Sequence, residues 1–114
     1  MRKSEIKFIV ALDKDNIPES ISWQATDQED NKPQFCKAFN ISIWDHAVKN
    51  SLRIDLWTKE MPVDEMKRFS IDTIGGLAQT ILNATGDEYM ANELNALCDK
   101  FIEHVKKEEE QQGR

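Results

Sequence analysis

Residues 52–66, Leu-Arg-Ile-Asp-Leu-Trp-Thr-Lys-Glu-Met-Pro-Val-Asp-Glu-Met, divide the chain into two regimes of hydrophobic spacing. Before Pro62 apolar and polar residues alternate, the period of a half-buried strand; after it apolar residues recur at three and four, the period of a helix. A chain built this way places strands first and helices second. Its other segments can be assigned around that change.

Three earlier stretches share the strand period. Residues 4–12 set Ile6, Phe8, Val10 and Leu12 on one parity; residues 20–25 set Ile21, Trp23 and Ala25 together. Residues 35–44 form the longest candidate, with Phe35, Phe39, Ile41 and Ile43 in phase and Lys37 interrupting the row. Residues 52–58 complete the set, Leu52, Ile54 and Leu56 on one face and Arg53, Asp55 and Trp57 on the other. The connections are rich in turn formers. Asp13-Lys14-Asp15-Asn16-Ile17-Pro18 reads as a turn, since it lacks the glycine and later ligands of a calcium loop. Residues 26–33 are wholly polar and read as a mobile surface loop, and residues 45–50 have hairpin length.

Pro62 suits the first turn of a helix, where its missing N–H is not needed, and Asp64 and Glu65 complement the positive end of the helix dipole. A first helix is therefore predicted from Met61 or Pro62. Gly75-Gly76 lies in its interior, where each glycine costs about 1 kcal/mol relative to alanine. Either the helix bends there or another backbone packs closely, a second subunit being one candidate. Gly86 suits a left-handed helix stop and Asp87 the next N-cap. The second helix then carries Met90, Leu94, Leu97, Cys98, Phe101, Ile102 and Val105 in one stripe.

With 114 residues the chain has room for one core, and the reading is a single α+β domain over residues 1–107 with a charged, fraying tail at 108–114. The architecture expected is one four-stranded antiparallel sheet in the order β-β-β-β-α-α, with the two C-terminal helices packed on one face. That order resembles the SecB-type export chaperone, a likeness of element order that carries no functional residue with it. Oligomerisation would add burial that a domain this small lacks.

A net charge of −6 without a basic stripe argues against nucleic acid. The N-terminal segment lacks the apolar run of a signal peptide, and no apolar stretch approaches the ~20 residues of a membrane span. A cytoplasmic location without membrane insertion is the expectation. Cys36 and Cys98 have no CxxC spacing and read as reduced thiols; His46 and His104 are isolated, so no metal or cofactor is expected. No nucleophile, base and stabiliser converge in the pattern, and the reading is a non-enzyme.

What remains is the second sheet face, small and polar except for Trp44, Arg53, Asp55 and Trp57. Aromatics and arginine among small residues form the composition of a protein-interaction patch; the alternative is that these tryptophans lie against their own neighbours or under a loop. Arg53 and Asp55 read as an ion pair across the pleat.

Ile17-Pro18-Glu19-Ser20-Ile21-Ser22-Trp23, Ser42-Ile43-Trp44-Asp45 and above all Leu52-Arg53-Ile54-Asp55-Leu56-Trp57-Thr58-Lys59-Glu60-Met61-Pro62-Val63-Asp64-Glu65-Met66-Lys67 resemble the gliding motility protein GldC family of the Bacteroidetes over nearly the whole chain. The resemblance implies a small cytoplasmic accessory of the gliding machinery and brings no catalytic residues. Two modes of action follow from different classes. One is a protein-interaction or chaperone-like module that binds another gliding or secretion component through the Trp44, Arg53, Asp55 and Trp57 face. The other is a small-ligand carrier with a pocket between sheet and helices, opened by Gly75-Gly76.

Overall fold

A computed structural model of the chain describes residues 1–30 and 32–113. It contains five strands and two helices in sequence order: β1 (Ile6–Leu12), β2 (Pro18–Ala25), β3 (Gln34–Cys36), β4 (Ala38–Trp44), β5 (Ser51–Trp57), α1 (Val63–Thr85) and α2 (Glu88–Gln112). The chain divides into two compact units, Met1–Met61 and Pro62–Arg114, at the change of period.

The strand unit departs from the expected single sheet. β1, β2 and β3 form a three-stranded antiparallel sheet in that order, and β4 and β5 form a separate antiparallel pair. The sequence stretch 35–44 is thus two strands, not one, because the backbone bends at Lys37 and changes hydrogen-bonding partner. Cys36 is opposite Ile21 of β2, whereas Ala38 is opposite Trp57 of β5. The bend also shifts parity. Phe35, expected in the core, stands beside Ser22 on the outer face and is exposed, while Cys36 falls on the side of buried Ile21. Four strands in one sheet and the SecB-type order are both replaced by a three-plus-two arrangement.

Several contacts join the two sheets inside this unit. The Phe8 and Phe39 rings stack with centroids 4.5 Å apart, which puts Phe8, Trp23, Val10 and Ile21 of the first sheet on the side that faces Phe39 of the second. Offset aromatic stacking of this kind adds about 0.5–1.5 kcal/mol beyond the area it buries. The Thr58 N–H donates to Lys37 O at 2.8 Å and the Lys59 N–H to Pro18 O at 3.0 Å. Between β1 and β2, Asp13 Oδ1 accepts the N–H groups of Asp15 (2.8 Å) and Ile17 (3.1 Å), and Asn16 takes a left-handed φ of 62°. The predicted turn is formed, and Lys59 Nζ reaches Asp13 Oδ2 at 3.1 Å. After β2, Thr26 bonds to the Glu5 backbone and Asp27 accepts from Arg2 and Ser4, so the beginning of the polar loop is fastened to the N-terminal segment. Asn31 of the same loop lies outside the described residues.

The helical unit is a hairpin. α1 has Pro62 at its N-cap in extended conformation, and its last turn closes on Gly86 at φ 73°, whose N–H donates to Leu82 O at 2.9 Å. Asp87 caps α2 by accepting the Met90 N–H at 3.0 Å. Both caps are those the residue types predict. Small residues line the seam between the helices: Ala78 and Ala91 are buried, and the buried Cys98 thiol lies 3.6 Å from Ile71 O. α1 runs through Gly75-Gly76 as one continuous helix. A Cβ on Gly75 would meet Cys98 Sγ at 4.0 Å, and one on Gly76 would meet, beyond the adjacent backbone of its own helix, no atom of the described residues within 4 Å. α2 extends to Gln112, and Glu108 accepts from Lys67 of α1 at 2.7 Å.

Candidate functional site

β4 and β5 pair in a regular ladder from Ala38↔Trp57 to Trp44↔Ser51 without a register shift. Alternation along such a ladder sends Ala38, Asn40, Ser42, Trp44, Ser51, Arg53, Asp55 and Trp57 to one face, and Phe39, Ile41, Ile43, Leu52, Ile54 and Leu56 to the other. The four residues singled out from the sequence therefore share a face. The turn that joins the strands is built by Asp45, whose Oδ2 accepts the N–H groups of Ala47 (3.0 Å) and Val48 (2.7 Å), with Lys49 at a φ of 56°.

Their arrangement is linear rather than clustered. Trp44 sits opposite Ser51 and Trp57 opposite Ala38, so the two indoles are six residues apart along the ladder, about 20 Å at the ordinary strand rise. Between them Arg53 binds Asp55 through two N–H···O contacts, Nη2 to Oδ1 at 3.2 Å and Nε to Oδ2 at 3.3 Å. Both partners are exposed, and so are the two indoles, at 69% for Trp44 and 54% for Trp57. An exposed ion pair of this kind adds little to stability, at most ~1 kcal/mol. Its consequence is orientation: it holds two opposite charges side by side on an open strand.

The opposite face contributes residues that sequence periodicity assigned to the core. Ile43, Leu52 and Ile54 are 46%, 60% and 47% exposed, while Phe39, Ile41 and Leu56 are half-buried toward the stacked Phe8. The hairpin thus presents large side chains on both faces. Alternation identified which residues share a face, but it carries no information on what covers that face.

Other candidate chemistry is dispersed. Cys36 and Cys98 are both free thiols, and burial pushes the Cys36 thiol above its ordinary value. His104 lies 3.5 Å from Glu108, whose carboxyl is held below the usual range by the Lys67 ammonium. Among the described residues no group of three or more His, Cys, Asp or Glu side chains could hold a metal ion, and no helix is long and apolar enough to cross a membrane. A shallow apolar cleft of about 250 Å³ runs along the helical hairpin beside Met66, Ile71, Phe101 and Val105.

No curated protein and no solved structure matches the chain. A family profile does, over residues 18–107, which takes in the whole β4–β5 hairpin and most of both helices. That profile describes proteins associated with gliding motility and does not represent a known enzyme family; the chain belongs to the gliding motility-associated protein GldC-like family.

Proposed function

We propose that this protein serves gliding motility as a non-catalytic cytoplasmic binding module, chaperone-like in mode, which recognises another gliding or secretion component through the β4–β5 hairpin. The observation that carries this reading is the exposure of Trp44 and Trp57 on the same face as the Arg53–Asp55 pair. A two-stranded hairpin gains little by ordering two indoles in water, whereas tryptophan and arginine are the residues that most often dominate protein interfaces. Each buried indole is worth about 2 kcal/mol or more at such a contact, so losing both weakens binding by roughly a thousandfold.

The test is a Trp44→Ala/Trp57→Ala variant placed in the native gene. Recovery of the partner by affinity capture and spreading of the cells on agar should both fall, with the circular dichroism of the purified variant unchanged. Undiminished capture and spreading by a folded variant would remove the face from consideration.

A further inference from the structure

The outer edge of β5 has the geometry and the charge order to pair with itself. In the β4–β5 ladder the Asp45 N–H donates to Asn50 O at 2.9 Å and the Thr58 N–H to Lys37 O at 2.8 Å. These two pairs fix the phase of the ladder. Residues of β5 opposite odd-numbered β4 residues, Leu52, Ile54 and Leu56, direct their backbone groups inward to β4; Ser51, Arg53, Asp55 and Trp57 direct theirs outward. β2 takes up that outer edge at Lys59, through Pro18, and among the described residues no strand pairs with it from Ser51 to Trp57. β5 contains no Pro, Gly or Lys and its register with β4 has no bulge; its two charges, Arg53 and Asp55, are of opposite sign and so do not repel a second copy as a like-charged edge would.

We propose that two copies of this chain associate through β5, antiparallel about a twofold axis at Ile54, to form a continuous four-stranded sheet β4-β5-β5-β4. The register follows from the charges. Outward backbone groups sit on odd residues, so an antiparallel self-pairing that overlaps five or more of the seven β5 residues centres on Arg53, Ile54 or Asp55. Centring on Arg53 opposes two arginines, and centring on Asp55 opposes two aspartates. Centring on Ile54 places Arg53 opposite the partner's Asp55 and Asp55 opposite the partner's Arg53, with Ser51 and Trp57 opposed at either end. Opposite charges directly across strands stabilise and like charges destabilise, so one register is selected. This is the self-complementary patch that a twofold interface requires.

The pairing goes beyond the partner-binding reading and does not depend on it, but it alters the same face. Trp57 would lie beside the partner's Ser51, and the partner's Trp44 one strand further, about 10 Å away, where a single chain separates its own two indoles by about 20 Å. On the reverse face two exposed apolar rows, Ile43, Leu52 and Ile54 from each copy, become continuous.

Sedimentation velocity on the full chain tests the proposal. The wild type should be a dimer. Arg53→Asp and Asp55→Arg should each weaken self-association about tenfold by opposing like charges, and an equimolar mixture of the two variants should dimerise as the wild type does, because every cross-strand pair in the mixed dimer is again opposite. Both variants lose the in-strand ion pair, so recovery on mixing reports the pairing between chains and not the stability of the hairpin. Ile54→Cys should form an intermolecular disulfide faster than Leu52→Cys, since the pair at the axis brings its own Cα atoms to about 4.5 Å. A monomeric wild type, a mixture no more associated than its components, or equal cross-linking at 52 and 54 would overturn the proposal.

Discussion

Replacing both Gly75 and Gly76 by alanine should stabilise the helical hairpin, by an amount that the environment of each position sets. α1 is one helix from Val63 to Thr85, so both glycines sit in a helix interior, where each costs about 1 kcal/mol relative to alanine in backbone entropy and solvation. A methyl at 75 would lie 4.0 Å from Cys98 Sγ, an ordinary van der Waals separation that adds contact without strain, and a methyl at 76 meets, beyond the adjacent backbone of its own helix, no atom of the described residues within 4 Å. Neither site offsets the propensity gain. The double variant should therefore gain about 2 kcal/mol, and each single variant about half of that. Urea unfolding followed by far-UV circular dichroism would show a higher midpoint at unchanged slope, and a thermal scan a midpoint raised by roughly 10 °C. A loss of stability at either position would refute the reasoning, for it would mean that a backbone, such as that of a second subunit, packs against α1 where a Cβ cannot fit.

Three further changes probe local features. Asp87→Ala removes the acceptor of the Met90 N–H at the start of α2 and should cost about 1 kcal/mol in urea unfolding, a loss that Asp87→Asn should largely avoid. Thr58 is 2% exposed and its Oγ1 has no hydrogen-bond partner among the described residues, so Thr58→Val should raise stability by about 1 kcal/mol; a marked loss would contradict the assignment. The Asp13 carboxyl is held below its ordinary range, first by the Ile17 and Asp15 N–H groups and then by Lys59, whose own pKa is raised chiefly by its hydrogen bond to Asp13. The charged carboxylate is thus favoured by folding, and its contribution is present above the ordinary carboxylate range and disappears as pH falls through the lowered value. The Lys59 contribution is present below the ordinary lysine range and is lost as pH rises through the raised value. Asp13→Asn should flatten the acid limb of the stability profile, and an unchanged acid limb would contradict the assignment.

The parts of this fold that could be read from the sequence are those governed by one residue's own chemistry. Gly86 stops α1 because a residue without Cβ takes the left-handed φ of 73° at no steric cost. Asp87 starts α2 because a short carboxylate reaches the N–H three residues on. The common face of Trp44, Arg53, Asp55 and Trp57 followed from alternation across a hairpin whose turn fixes the register. The linear spacing of the two indoles could have been counted from the same pairing, once Trp44 was placed opposite Ser51.

The division of the strands into two sheets depends on partners, and a period of two carries no record of which strand accepts a given N–H. The visible trace was Lys37, the charged residue that interrupts an otherwise apolar row. In the fold it is an exposed bend at which the chain leaves β2 and turns to β5. Its effect on the site is larger than a relabelling of strands. In a single four-stranded sheet, β5 would have been an edge like any other, set beside a rigid neighbour and a covered core. Because the bend ends the first sheet at Cys36, β4 and β5 stand as a pair, too few strands to be stable without packing or further pairing. Stacking of Phe39 on Phe8 supports one end of that pair. At the other end Ile43, Leu52 and Trp44 are exposed, and the open edge of β5 is where a further surface can be added by hydrogen bonds as well as by burial.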